Sequence, residues 1–217
     1  MLGHILETTA TEKDLGLQIE ESLQFHSQTS SVVTKGFRTL GIIKRTFLNL
    51  DETTLPLVYK TMVRPILEYS NSVWGPVMCG DQDRIERVQR RATKMIAAFR
   101  HLPYQERLRR LCLPSLHYRR MRGDMIMVYQ IMTGKIRIDS SRLFTLAPAG
   151  QDTRGHTLKL SKPAANKVIR QKFFSVRVIN HWNSLPEEVV TAPSTNAFKN
   201  KLDSHWKDKM FKIRAET

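Results

Sequence analysis

The chain has 217 residues, 41 % of them hydrophobic, which is enough for a buried core in one domain, or one domain plus a small satellite, and excludes wholesale disorder. Its net charge of +15 and pI near 10.2 point to a polyanionic partner, with nucleic acid ahead of a membrane surface. No run of about eighteen apolar residues is present to span a bilayer, the N-terminus carries acids and no apolar signal core, and the two cysteines, Cys79 and Cys112, fit a reducing compartment rather than a disulfide framework.

Met1 leads directly into strand-like sequence, so the chain is expected to begin inside something larger. Leu15, Leu17 and Ile19 alternate and then stop at an acidic pair, which predicts a half-buried strand within residues 15–25. Alone it would be an unpaired edge in need of a partner. Residues 25–47 read as helix, because Val33, Phe37, Leu40, Ile43 and Phe47 recur at three or four. Gly36 and Gly41 weaken it by about 1 kcal/mol each relative to alanine, unless they permit close packing.

Asp51 is a good N-cap for a helix carrying Leu55, Val58, Tyr59 and Met62. Pro56 lacks the donor for an i→i−4 bond, so either the cap is Thr53 or Thr54 or the first turn is distorted. Pro65 is expected to kink or break this helix, with residues 66–74 continuing at an angle. Gly75, Pro76 and Gly80 punctuate the loop that follows.

The stretch from 81 to 134 dominates the chain. Ile85, Val88, Ala92, Met95, Ile96 and Phe99 fall within an arc of roughly 100° on a helical wheel. Arg84, Arg87, Arg91 and Lys94 line the neighbouring arc. Between Arg84 and Arg122 stand twelve Lys or Arg against two acids, Glu86 and Glu106, and eleven of the twelve are arginine. Arginine grips phosphate bidentately and stacks on bases, which lysine does less well. A solvated face, with arginine stems covering apolar surface, is the competing explanation. The candidate nucleic-acid contacts are Arg84, Arg87, Arg90, Arg91, Lys94, Arg107, Arg110, Arg119, Arg120 and Arg122.

Pro103 ends the basic helix and opens a short one, PYQERLRRL, from its first position, and Pro114 does the same for a helix over 115–132. On the latter, Met121, Met125, Val128 and Met132 share a face with Tyr118 and Tyr129 and read as core. Residues 135–167 lose periodicity and read as an irregular connector with a short strand at 157–160. Helix resumes over 173–182, a short turn after Pro186 holds Val189 and Val190, and Pro193–Ser194 caps a final helix with Phe198, Leu202 and Trp206. The tail beyond Trp206 is expected to fray.

No nucleophile elbow, P-loop, dinucleotide fingerprint or zinc-ligand spacing appears. The seven histidines are scattered, with His26 and His181 read as ordinary surface residues. Arg122-Gly123-Asp124, an adhesion-like tripeptide inside a predicted helix, is read as chance. Arg154-Gly155-His156 fits either a phosphate contact or a plain turn. Tyr104, Tyr118, Trp74 and Trp182 are candidates for base stacking, although the spacing of Trp182 and Trp206 with other apolar residues favours core.

Seven segments in order resemble the C-terminal part of a reverse transcriptase from a non-LTR (LINE-type) retrotransposon of the Jockey-like group. They are EKDLGLQIEESLQF (12–25), LDETTLPLVYKTMVRPILEYSNSVWGP (50–76), RIERVQRRATKMI (84–96), LPYQERLRRLCLPSLHYRRMRGDMI (102–126), TRGHTLKL (153–160), FFSVRVINHWNSLPEEVV (173–190) and STNAFKNKLDSHW (194–206). The resemblance implies that an endonuclease domain and the polymerase fingers and palm precede this region, and that the chain corresponds to the thumb and the helical region after it. It implies a remnant of the palm and primer grip at 1–24, a basic thumb-like helical domain at 25–134, the connector at 135–167 and a C-terminal helical segment at 168–217. The intracellular setting, with the nucleus as the compartment, also follows only from the resemblance.

One departure is decisive. Polymerase palms hold two magnesium ions on paired aspartates, and this sequence contains no adjacent Asp pair. Asp81-x-Asp83 is the nearest approach and reads as an N-cap that also favours the helix dipole. No catalytic residue, metal ligand or cofactor is therefore assigned to this chain, and magnesium would belong to a palm elsewhere. The expected fold is mainly α, a thumb-like helical array with a short N-terminal β element. The expected role is to hold RNA, RNA–DNA hybrid or DNA by its backbone, alongside the palm and fingers and without a membrane. A relic with no selected activity and a helical protein-interaction module are the alternatives.

Overall fold

A computed structural model describes residues 9–76, 78–148 and 155–213. The fold is mainly α with a short N-terminal β element, the expected class. Strand β1 (Thr11–Asp14) pairs antiparallel with β2 (Leu17–Glu20), Asp14 opposite Leu17, through a tight turn at Leu15–Gly16. The strand read from the alternation thus finds its partner inside the chain, in a segment too polar to have shown alternation of its own. Leu15 takes a positive φ of 44°, the left-handed region that such a turn demands, and the Tyr69 hydroxyl donates to its carbonyl at 3.0 Å.

Helix α1 (His26–Thr46) follows the predicted span, with Val32, Gly36, Leu40 and Ile43 buried. Gly36 does permit close packing. A Cβ there would lie 3.0 Å from Val88 and 3.2 Å from Leu67, whereas at Gly41 only the tip of Arg45 lies within 4.0 Å.

The next helix is distorted around both prolines. Asp51 Oδ1 accepts from the Thr53 and Thr54 amides at 2.9 and 2.7 Å, and α2 begins at Thr54 (Thr54–Val58), which leaves Pro56 in the first turn. A π-helical stretch (Tyr59–Val63) leads into α3 (Arg64–Glu68). There the Arg64 amide bonds to the Tyr59 carbonyl, five residues back. This wider turn accommodates Pro65, so the proline does not end the helix. The break comes later, at Tyr69–Ser70, where Ser70 has φ 50°, before α4 (Asn71–Trp74).

Helix α5 (Cys79–Thr93) is the predicted basic helix, but it stops earlier than expected. Residues 94–96 form a turn, and a single 3₁₀ turn (Ala97–Phe99) returns Ile96 and Phe99 to the core by a different route. Helices α6 (Tyr104–Arg110) and α7 (Leu116–Met132) each begin one residue later than Pro103 and Ser115 suggested. Pro103 is the residue before α6 rather than its first. Ser115 caps α7 by accepting from the Tyr118 amide. The methionine face is core, with Met125 and Val128 fully buried.

Beyond α7, β3 (Thr145–Leu146) pairs antiparallel with β4 (Leu160–Ser161). The connector strand therefore begins at the end of the predicted 157–160 span and has a local partner. Helix α8 (Val168–Lys172) precedes α9 (Phe174–Arg177) and α10 (Ile179–Asn183), so the single helix read over 173–182 is broken in two at Val178. Helices α11 (Glu187–Val190) and α12 (Thr195–His205) match expectation, with Ser194 Oγ capping α12.

The tail is tied down as far as Lys212. The Ser115 amide and hydroxyl donate to the Met210 and Lys212 carbonyls, and Phe211 packs on the core. Two apolar clusters result. One runs from Leu17 to Leu116 and the other from Tyr118 to Trp206, so α7 is the shared wall between them.

Candidate nucleic-acid interface

Helices α1 and α5 lie side by side and run in the same direction. His26 Nδ1 meets Asp81 Oδ2 at 2.5 Å, Arg84 Nη2 donates to Ser30 Oγ at 2.9 Å, and Gly36 faces Val88. On α5, Ile85, Val88 and Ala92 are fully buried, as the wheel predicts. The opposite side carries Arg87, Arg91 and Lys94, all exposed. None of the three meets a carboxylate among the described residues.

Arg84 differs from these three. It bonds Asp81 at 3.1 Å and reaches across to α1, so it is a strut between helices. Asp81 is buried in the first turn of α5 rather than capping it, because His26 and Arg84 both claim its carboxylate. Beside this strut runs an open groove of about 500 Å³, lined on α1 by Ser27, Ser30, Ser31, Thr34, Lys35 and Arg38. Sequence reading missed this wall. The signal was present, since hydroxyl and basic residues recur at three and four along one side of α1. Hydroxyls and exposed cations together form a surface suited to phosphate oxygens.

The other predicted contacts are distributed differently. Arg90 and Arg107 stand over the Tyr104 ring at 5.0 and 5.4 Å, and Arg107 is only 2 % exposed. Arg110 is exposed but shares Glu106 with Arg109 and stands over Phe99. Arg119 holds Glu68 through Nε and Nη2, and Arg122 grips Asp203 at 2.5 and 2.8 Å. Arg120, half-buried, lies in the field of Glu86, Asp124 and Glu68. The structure thus brings Arg87, Arg91 and Lys94 together on solvent and turns Arg107, Arg119 and Arg122 inward.

The acids that hold these arginines are themselves set by the fold. Glu86 is 1 % exposed, accepts the Tyr104 hydroxyl at 2.6 Å and receives the Leu116 amide at the start of α7. Burial pushes its carboxyl up, and the Tyr104 bond opposes that rise. Asp124, the last letter of the adhesion-like tripeptide, is buried and takes two hydrogen bonds from Arg177 at 2.9 and 3.0 Å. Arg177 also bonds the carbonyls of Asn71 and Ser72, and Gly75 leaves its guanidinium room.

Two of the aromatic candidates for base stacking, Trp74 and Tyr118, are corrected, and Trp182 is core as its spacing favoured. Trp74, Tyr118 and Trp182 are at most 1 % exposed and pack in the cores. Tyr104 is half-buried, with its hydroxyl committed to Glu86. His156 is buried against Trp182, whose carbonyl faces its Nε2 at 3.0 Å. Arg154, beside it in sequence, lies outside the described residues. His181 is no exposed surface group. It packs edge-on against Trp206, and burial lowers its pKa. Among the described residues no group of three His, Cys, Asp or Glu is placed to hold a metal ion, and no helix is long and apolar enough to cross a membrane.

No family model, curated protein or solved structure matches the chain.

Proposed function

We propose that this chain is the post-palm, thumb-like part of a LINE-type reverse transcriptase, and that it holds template RNA and nascent DNA through sequence-independent backbone contacts. The observation that carries the reading is the exposed row Arg87, Arg91 and Lys94, which makes no ion pair among the described residues, and a hydroxyl-lined groove on α1 adds a further surface suited to phosphate oxygens. Cations so placed neutralise phosphates and release condensed counterions, so affinity falls steeply with salt and depends little on sequence. The palm and fingers would be supplied by another part of the parent protein, together with the magnesium ions on their aspartates. The purified chain alone incorporates no nucleotides under this reading.

The test is titration of an RNA–DNA hybrid at several salt concentrations, for the chain and for the variant Arg87→Gln/Arg91→Gln/Lys94→Gln. The variant binds more weakly and with a shallower salt slope. Binding that ignores salt, or an unchanged slope, removes the proposal.

A further inference from the structure

The excess positive charge lies in two blocks. The second runs from Lys135 to Lys172, with nine Lys or Arg against two acids. It differs from the first in how little of it is consumed by the fold. From Ser161 to Phe173 nearly every side chain is exposed, and Lys162, Lys167, Arg170 and Lys172 reach solvent with no carboxylate partner among the described residues. In the central block, by contrast, Arg84, Arg119 and Arg122 are bound to acids.

This strip ends at a fixed aromatic ring. Phe173 is 49 % exposed, although its neighbour Phe174 turns inward to meet Phe144 at 6.0 Å. The Phe173 backbone is held on both sides. Its amide donates to the Arg170 carbonyl at 3.2 Å, and its own carbonyl accepts from the amides of Val176 and Arg177 at 2.9 Å. Arg170 stands 5.3 Å from the ring centroid. An outward ring on a pinned backbone, flanked by a guanidinium and preceded by a row of exposed cations that runs from residue 162 into α8, has the parts of a single-strand platform. The cations track the phosphates and the ring offers a face to a base.

We infer that residues 162–173 form a second nucleic-acid contact, separate from α5, that binds a single strand with a base stacked on Phe173. The inference rests on the proposed nucleic-acid role and adds a site to it. Single-strand preference follows from the ring, since a base inside a duplex is stacked on both faces and has none free to offer.

Two variants test it, Lys162→Gln/Lys167→Gln/Arg170→Gln/Lys172→Gln and Phe173→Ala, each measured by titration of a fluorescent single-stranded RNA 20-mer and of a duplex of equal length. The altered side chains are exposed, so the thermal melt should stay that of the parent and serves as the folding control. The quadruple variant should lose roughly 3 from its single-strand salt slope, at about 0.7 per phosphate contact. Phe173→Ala should weaken single-strand binding about tenfold with its salt slope retained and duplex binding little changed. If both variants bind the single strand like the parent while the α5 variant is impaired, the second site is refuted and the proposed function stands. If the parent binds neither nucleic acid, the proposed function itself falls and takes the site with it. Binding to anionic lipid vesicles alone, lost in the quadruple variant, would reassign the strip to a membrane surface and overturn the inference.

Discussion

Helices α5 and α7 are both rich in arginine, yet the fold uses them in opposite ways. On α5, Arg87 and Arg91 face solvent and make no ion pair among the described residues. On α7, Arg119 and Arg122 close on Glu68 and Asp203, and Arg120 faces Glu86. The difference is one of position. Helix α5 has one side open beside α1, while α7 is covered by α4, α5, α10 and α12, and carboxylates reach it from α3 (Glu68), α5 (Glu86) and α12 (Asp203). Arginine density alone therefore does not mark an interface. The acids delivered by neighbouring elements decide whether a guanidinium is structural or available.

That contrast can be broken from the structural side first. Arg177→Leu leaves the Asp124 carboxylate of α7 buried without its two hydrogen bonds, and should cost about 3–5 kcal/mol in chemical denaturation. A loss below about 1 kcal/mol would mean that the inward pairs contribute little to holding the second core. Gly36→Val drives a branched side chain into Val88 and Leu67 where α1 meets α5, and should cost about 2–3 kcal/mol by overpacking. Because the same contact sets how α5 lies on α1, this variant should also weaken nucleic-acid binding at temperatures where it remains folded.

Acid should act on the inner side too. Burial, with Arg120 and His181 nearby, lowers His117 from 6.5 to about 4. The unfolded chain therefore takes up this proton first, and stability present above pH 6.5 is lost as pH falls toward about 4. The expected loss from this residue is about 1–2 kcal/mol, read as the difference in melting between pH 7 and pH 4.5. His117→Gln should flatten that dependence, and an equally steep fall in the variant would assign the loss to other groups. The smallest effect is at the hairpin. Leu15 is 83 % exposed at φ 44°, so Leu15→Asn, which tolerates that backbone, should stabilise the chain by about 0.5–1 kcal/mol. A destabilised variant would show that the leucine makes a contact that matters.

Much of the fold was legible because its signals are local. The apolar spacing of α1, α5, α7 and α12 put Ile43, Val88, Met125 and Phe198 in the core, where they are. The errors arose where a distant partner decides. Pro65 looked able to break the helix, but a π turn just before it accommodates the ring and the helix runs on to Glu68, and no single-residue signal announces such a turn. Strand β1 has no apolar alternation, and it forms because β2 offers it a ladder. The candidate site was half legible. Helical spacing placed Arg87, Arg91 and Lys94 on one face. It could not reveal that Glu68 and Asp203, 51 and 81 residues from their partners, would claim Arg119 and Arg122.

The most direct test of the central claim compares salt slopes for RNA–DNA hybrid binding in two triple variants, Arg87→Gln/Arg91→Gln/Lys94→Gln and Lys199→Gln/Lys201→Gln/Lys207→Gln, which remove equal charge from α5 and from the C-terminal region around α12. The first should lose between 2 and 3 from the slope, at about 0.9 per phosphate contact in duplex, and the second close to none. Equal losses in the two would mean that net charge alone governs binding, and would contradict an interface on α5.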